Sequence, residues 1–142
     1  LGIGTLALRM KRHCENAYTV AKYLKNSDKV AWIHYPDLEG DDNYELSKKY
    51  LDNGSCGVLC FGIKGGRSES IRFMDALKFI SIATHVADSK TCLLHPASHT
   101  HRQLTDEQLE EAGIATDLIR LSVGIENVED IIADIEQALA NI

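Results

Sequence analysis

The 142 residues carry 44% hydrophobic and 25% charged side chains and a formal net charge of −6, values that fit one soluble globular domain with its own core. That acidic balance leaves no basic stripe for nucleic acid, and no apolar run approaches the roughly 20 residues of a membrane span. Cys14, Cys56, Cys60 and Cys92 are scattered with no CxxC pair, so the chain reads as a cytoplasmic protein from a reducing compartment and not as a disulfide scaffold.

The chain opens LGIGTLALRM, with neither an initiator Met nor a signal-peptide pattern, and is expected to be a piece of something longer. Residues 5–26 predict a helix, with Leu6, Met10, Cys14 (or His13), Ala17, Ala21 and Leu24 recurring at spacings of three and four. VAWIHY at 30–35 predicts a strand ended by Pro36-Asp37, and Asp42 or Asn43 is expected to cap a short helix reaching about Leu51. CGVLCFGIK at 56–64 reads as a buried strand. After Gly65-Gly66, Ser68 is expected to cap a helix carrying Ile71, Met74 and Leu77.

ISIATHVAD at 80–88 is a third strand candidate, and 89–104 has no clean period. Thr105 and Gln108 spell a capping box for a helix with Leu109 and Ala112 that Gly113 stops. LIRLSVG at 118–124 predicts the fourth strand, and Asn127 caps a last helix striped by Val128, Ile131, Ile132, Ile135 and Leu139. The order predicts an α/β (α+β) domain over 1–142, a four-stranded sheet with helices packed on it.

Two features invite chemistry. HPASHTH at 95–101 holds His95, His99 and His101. A zinc site there lacks nearby cysteine and an HExxH helix, and Pro96 disfavours helix at His95. Bracing of an irregular loop by imidazole hydrogen bonds is the favoured reading, with no metal. Arg120 sits among Leu118, Ile119, Leu121 and Val123, on the strand face shared with Leu118 and Ser122. A guanidinium in an apolar strand meets a carboxylate or phosphate, or else faces out from a half-exposed strand; spacing alone leaves both open. Gly65-Gly66 lacks the full phosphate-loop pattern, Ser98 and Ser122 lack a nucleophile elbow, and Cys56 and Cys60 read as small core residues.

LALRMKRHCENA, VAWIHYPDL, FGIKGG, HPASHTHRQLTDEQ and DLIRLSVGIENVEDIIADIEQAL occur in this order along the chain. Together they resemble the carboxy-terminal part of the Cys/Met-metabolism family of pyridoxal-phosphate enzymes. FGIKGG and HTHRQL lean to its O-acetylhomoserine sulfhydrylase branch over the cystathionine γ-synthase and methionine γ-lyase branches. The resemblance implies the small domain of a fold-type I protein, with a mostly antiparallel four-stranded sheet and helices on one face. A missing amino-terminal domain would hold pyridoxal 5'-phosphate on a lysine.

It also implies that Arg120 grips the substrate's α-carboxylate. His85 stands where the family commonly has Ser or Asn to help hold that group, with Thr84 and Val86 lining the pocket. The implied reaction of the intact enzyme is γ-replacement of acetate by sulfide or methanethiol, in a homotetramer acting on an amino-acid substrate. No cofactor-binding residue and no catalytic residue falls in this stretch, and Lys64, Lys78 and Lys90 do not fill that gap. The stretch alone is expected to be inactive. A free-standing α/β small-molecule-binding module is the alternative from a different class.

Overall fold

The computed structural model describes residues 2–142. Helix α1 spans Leu6–Lys25 and buries His13, Asn16, Ala17, Val20, Ala21 and Leu24. The expected stripe therefore holds from His13 onward, with His13 and not Cys14 as the buried member. Leu6 and Leu8 at its start stay exposed. The polar members of the buried face are spent on backbone: His13 Nδ1 donates to Val123 O at 2.6 Å, and Asn16 Nδ2 donates to Gly124 O at 3.0 Å and Glu126 O at 2.9 Å. Burying polar groups without partners costs free energy, so these bonds fix where α1 lies relative to the chain after residue 122.

Strand β1 is Val30–His34, helix α2 Tyr44–Tyr50 and strand β2 Val58–Ile63. Asn43 precedes α2 as expected but its side chain makes no capping bond. Gly65 and Gly66 turn the chain at φ 101° and 82°, a region open to glycine at little cost. Helix α3, Arg67–Ala76, starts directly after Gly66, so Ser68 lies inside its first turn and does not cap it. Its buried face is Ser70, Phe73 and Met74, while Ile71 faces out.

Strand β3 is only Ser81–Ile82, and β4 is Cys92–Leu94, followed by a 3-10 turn at Pro96–Ser98. Helix α4, Asp106–Glu111, carries the full Thr105/Gln108 capping box. It ends with Gly113 N donating to Glu110 O at 2.9 Å and Ile114 N to Leu109 O at 2.8 Å, the Schellman pair that a left-handed glycine at φ 70° permits. Strand β5 is Leu118–Ser122, and helix α5, Val128–Leu139, is capped by Asn127.

The sheet has five strands in the order β1-β2-β5-β4-β3, one more than the four expected. All pairings are antiparallel except β3 with β4. The extra strand is β4, whose three residues are all buried and show no alternation. The 80–88 candidate shrinks to two residues: Asp134 of α5 accepts the N–H groups of Lys78, Phe79 and Ile80 at 2.8–3.0 Å ahead of the strand, and beyond Ala83 side-chain bonds replace the ladder.

Helices α1, α3 and α5 cover one face of this sheet. Leu59, Phe61, Ile63, Leu93, Ile119, Leu121 and Val123 form the core with Val20, Leu24, Phe73, Ile131 and Ile135. Side chains alternate along a strand, so Cys60, Arg120 and Leu94 share the opposite face. They are cross-strand partners in one row that continues to His34 on β1.

Candidate substrate-carboxylate site

Arg120 is the middle residue of the middle strand. Its Nη2 donates to Thr84 O at 3.0 Å and to His85 O at 3.4 Å. Its Nε is buried without a hydrogen-bond partner. No Asp or Glu among the described residues pairs with the guanidinium. The thiols of Cys60 and Cys92 feel its charge, and burial pushes both up against the opposing pull of Arg120. They stay neutral and supply no counter-charge. A half-buried cation bonded only to neutral carbonyls has paid part of its desolvation cost without an anion in return. Its planar fork keeps donors for a carboxylate.

The segment 84–88 runs beside this group. Ala83 N still donates to Leu93 O at 3.0 Å, but beyond it side chains replace the sheet ladder. Cys92 Sγ donates to His85 O at 3.3 Å, and Ser122 Oγ accepts the Ala87 N–H at 3.1 Å. Asp88 closes the turn by accepting Lys90 N at 3.0 Å and Ser89 Oγ at 3.3 Å. These bonds, the Lys90 amide foremost, hold its carboxyl below the usual carboxylate range. Ala87 has φ 58°, the left-handed region that a residue with a Cβ seldom enters, and is the one non-glycine there among the described residues.

The structure thus brings Arg120, Thr84 and His85 together, through the carbonyls of the last two. The His85 ring turns instead to Asp88, with Nδ1 3.5 Å from Oδ2. His85, Ala83, Asp88, Lys90 and Cys92 are among the residues that line a depression of about 240 Å³. Val86 projects into solvent. Ser122 and Cys92 were not among the residues that sequence spacing singled out for this site. Ser122 follows Arg120 by two positions on one strand, so the period of two that places Arg120 also places it on the same face.

Behind the segment, Glu126 accepts Thr91 N at 2.6 Å and Thr91 Oγ1 at 2.9 Å, and Thr91 Oγ1 accepts Gly124 N at 2.9 Å. A Cβ on Gly124 would lie 2.2 Å from Glu126 Oε2 and 2.5 Å from Ser89 O, so only glycine fits.

The histidine-rich loop lies elsewhere. His95 is fully buried, and its Nε2 donates to Thr116 O at 2.8 Å while Nδ1 accepts from Ser98 Oγ at 2.8 Å. Burial pushes its pKa down, which keeps the ring neutral. His99 Nδ1 donates to His95 O at 3.1 Å, and His101 Nδ1 engages its neighbour Thr100 at 2.9 Å. The imidazoles brace the 95–101 loop through hydrogen bonds. Both nitrogens of His95 are spent, which leaves it no lone pair for a metal.

The chain is similar to known proteins along nearly its whole length. A family model described as Cys/Met metabolism PLP-dependent enzyme matches residues 1–140. A homocysteine synthase of Schizosaccharomyces pombe is 51% identical over 138 residues, 97% of this chain and 32% of that protein. An O-acetyl-L-homoserine sulfhydrylase of Leptospira meyeri is 44% identical over 142 residues, 99% of this chain and 32% of that protein. A crystal structure of a putative O-acetylhomoserine (thiol)-lyase from Campylobacter jejuni, which contains a pyridoxyl-lysine monophosphate, superposes with a TM-score of 0.90 at 39% identity. It covers 98% of this chain and 33% of the other. The chain spans about a third of the length of the relatives it matches.

Proposed function

The chain belongs to the family of Cys/Met metabolism PLP-dependent enzymes, and from that premise we propose that it is the carboxy-terminal, substrate-carboxylate-binding domain of an O-acetylhomoserine sulfhydrylase. The whole protein then replaces the acetate of O-acetylhomoserine with sulfide or methanethiol, giving homocysteine or methionine. The names of its relatives support that substrate. The observation that carries the local role is Arg120, a half-buried guanidinium with neutral partners, an unspent Nε and no carboxylate of its own.

The donor set around Arg120 does not fit the family's cofactor. It consists of two backbone carbonyls, two neutral thiols and a serine hydroxyl that accepts from Ala87, while the Asp88 carboxylate is spent on Lys90, Ser89 and His85. On the family resemblance, the cofactor's anchoring groups belong to the part of the relatives outside the matched third, which leaves this domain the substrate side. Arg120 takes the α-carboxylate in a forked, charge-assisted pair. Thr84 and His85 hold the guanidinium plane through their carbonyls, with Thr84 and Val86 at the rim.

Fixing the carboxylate orients the Cα bonds of the substrate, which is a positioning contribution to the reaction. The His85 side chain contributes through Asp88 and the shape of the turn. The same reading places the full protein in the cytoplasm as a homotetramer; no helix among the described residues is long and apolar enough to cross a membrane.

Steady-state kinetics of the full-length protein test the role of Arg120. Arg120→Ala is expected to raise the KM for O-acetylhomoserine about 100-fold, the range for losing one partner of a buried charged pair. Arg120→Lys keeps the charge and loses the fork, and is expected to raise it about tenfold. Unchanged KM and kcat in both variants would overturn the reading.

A further inference from the structure

Arg120 aims its donors only as well as its own acceptors are held. Those acceptors, Thr84 O and His85 O, belong to a segment that has left the sheet. Two residues further on, Ala87 occupies the left-handed region at φ 58°, an arrangement that persists only when its surroundings impose it. The imposing contact is visible. Ser122 is 2% exposed, and its Oγ accepts the Ala87 N–H at 3.1 Å. Ser122 lies two residues after Arg120 on β5 and is the cross-strand partner of Cys92 on β4 and of Val58 on β2. Cys92 in turn donates to His85 O at 3.3 Å. Side chains from β4 and β5 therefore grip both ends of the 85–87 turn from below.

We propose that Ser122 is a positioning residue for carboxylate binding. By holding the Ala87 N–H it stabilises the left-handed turn, and the turn keeps the Thr84 and His85 carbonyls where they orient the Arg120 guanidinium. The inference rests on the carboxylate-binding role of Arg120. It adds a specific dependence: the hydroxyl is needed because residue 87 carries a Cβ. Glycine enters the left-handed region at little cost, so a glycine at position 87 needs the hydrogen bond less.

The test uses the full-length protein and three variants: Ser122→Ala, Ser122→Cys and the double variant Ser122→Ala/Ala87→Gly. Ser122→Ala is expected to raise the KM for the amino-acid substrate about tenfold, the scale of one buried hydrogen bond, with kcat within about twofold of the parent. Ser122→Cys, with a weaker acceptor of similar size, should fall between, and it serves if the alanine variant does not fold. Placing glycine at 87 should bring the double variant back to within about threefold of the parent KM. An unchanged KM in a folded Ser122→Ala or Ser122→Cys overturns the proposal, and so does a double variant no better than Ser122→Ala. The parallel Arg120→Ala measurement separates the two ideas. If it raises KM while the Ser122 variants do not, only the positioning role fails; if Arg120→Ala leaves KM unchanged, the carboxylate role fails with it.

Discussion

Two ionisable residues, one half-buried and one buried, show how context decides role. Arg120 is ringed by carbonyls and neutral thiols, so its charge stays available to a ligand. His95 has both nitrogens satisfied inside the chain, so it serves the fold. Its depressed pKa carries a stability consequence with a definite sign. The unfolded chain takes up a proton near the ordinary imidazole value of about 6.5, whereas the folded ring resists it. The contribution is complete above that value and is lost as the pH falls from it toward the lowered folded value. Urea unfolding at about pH 7.5 and about pH 5.5 should show a loss of stability in the parent that is smaller in His95→Gln, which cannot titrate. Equal losses in both would contradict the assignment. Arg120 stands out in the sequence as a cation inside an apolar strand, but spacing leaves both of its readings open, and only the family resemblance implies a carboxylate partner. The role of the His85 backbone is not legible there, since a carbonyl contact leaves no mark on residue type. The Ser122–Ala87 bond joins positions 35 residues apart, which no local pattern encodes.

At the scale of elements, length governed what could be read. Helices α1 and α5 and strand β5 carry enough periods to show their faces, and the Thr105/Gln108 box and Gly113 bound α4 as their chemistry requires. Strands of two and three residues carry no period, so the sequence pattern over-extends β3 and leaves β4 unmarked. The chain just ahead of β3 is held by one side chain from another element. Asp134 is buried on α5 and accepts Lys78 N, Phe79 N and Ile80 N, with Gln137 Nε2 donating to its Oδ1 at 3.0 Å. It joins the end of α3 to the start of β3. Asp134→Ala leaves three backbone donors without their acceptor and should lower stability by about 3 kcal/mol, whereas Asp134→Asn, which keeps one acceptor oxygen, should cost less. Chemical denaturation measures both, and a loss under about 1 kcal/mol for the alanine variant would contradict this role.

Across the whole molecule, one sheet separates two tasks. The helix-covered face holds the core, in which Phe61 meets Phe73 edge to face at 6.0 Å. The other face presents the row of His34, Cys60, Arg120 and Leu94. Packing thus makes the central strand rigid, and rigidity on one side is what fixes an arginine on the other. The central claim is that this arginine takes the substrate's carboxylate. It is tested most directly by a double cycle in the full-length, cofactor-loaded protein: binding of an unreactive homoserine analogue and of the corresponding amine without its carboxylate, each to the parent and to Arg120→Ala. Removing the carboxylate is expected to weaken binding to the parent by about 100-fold and hardly to change binding to the variant. Equal losses in parent and variant would contradict the claim.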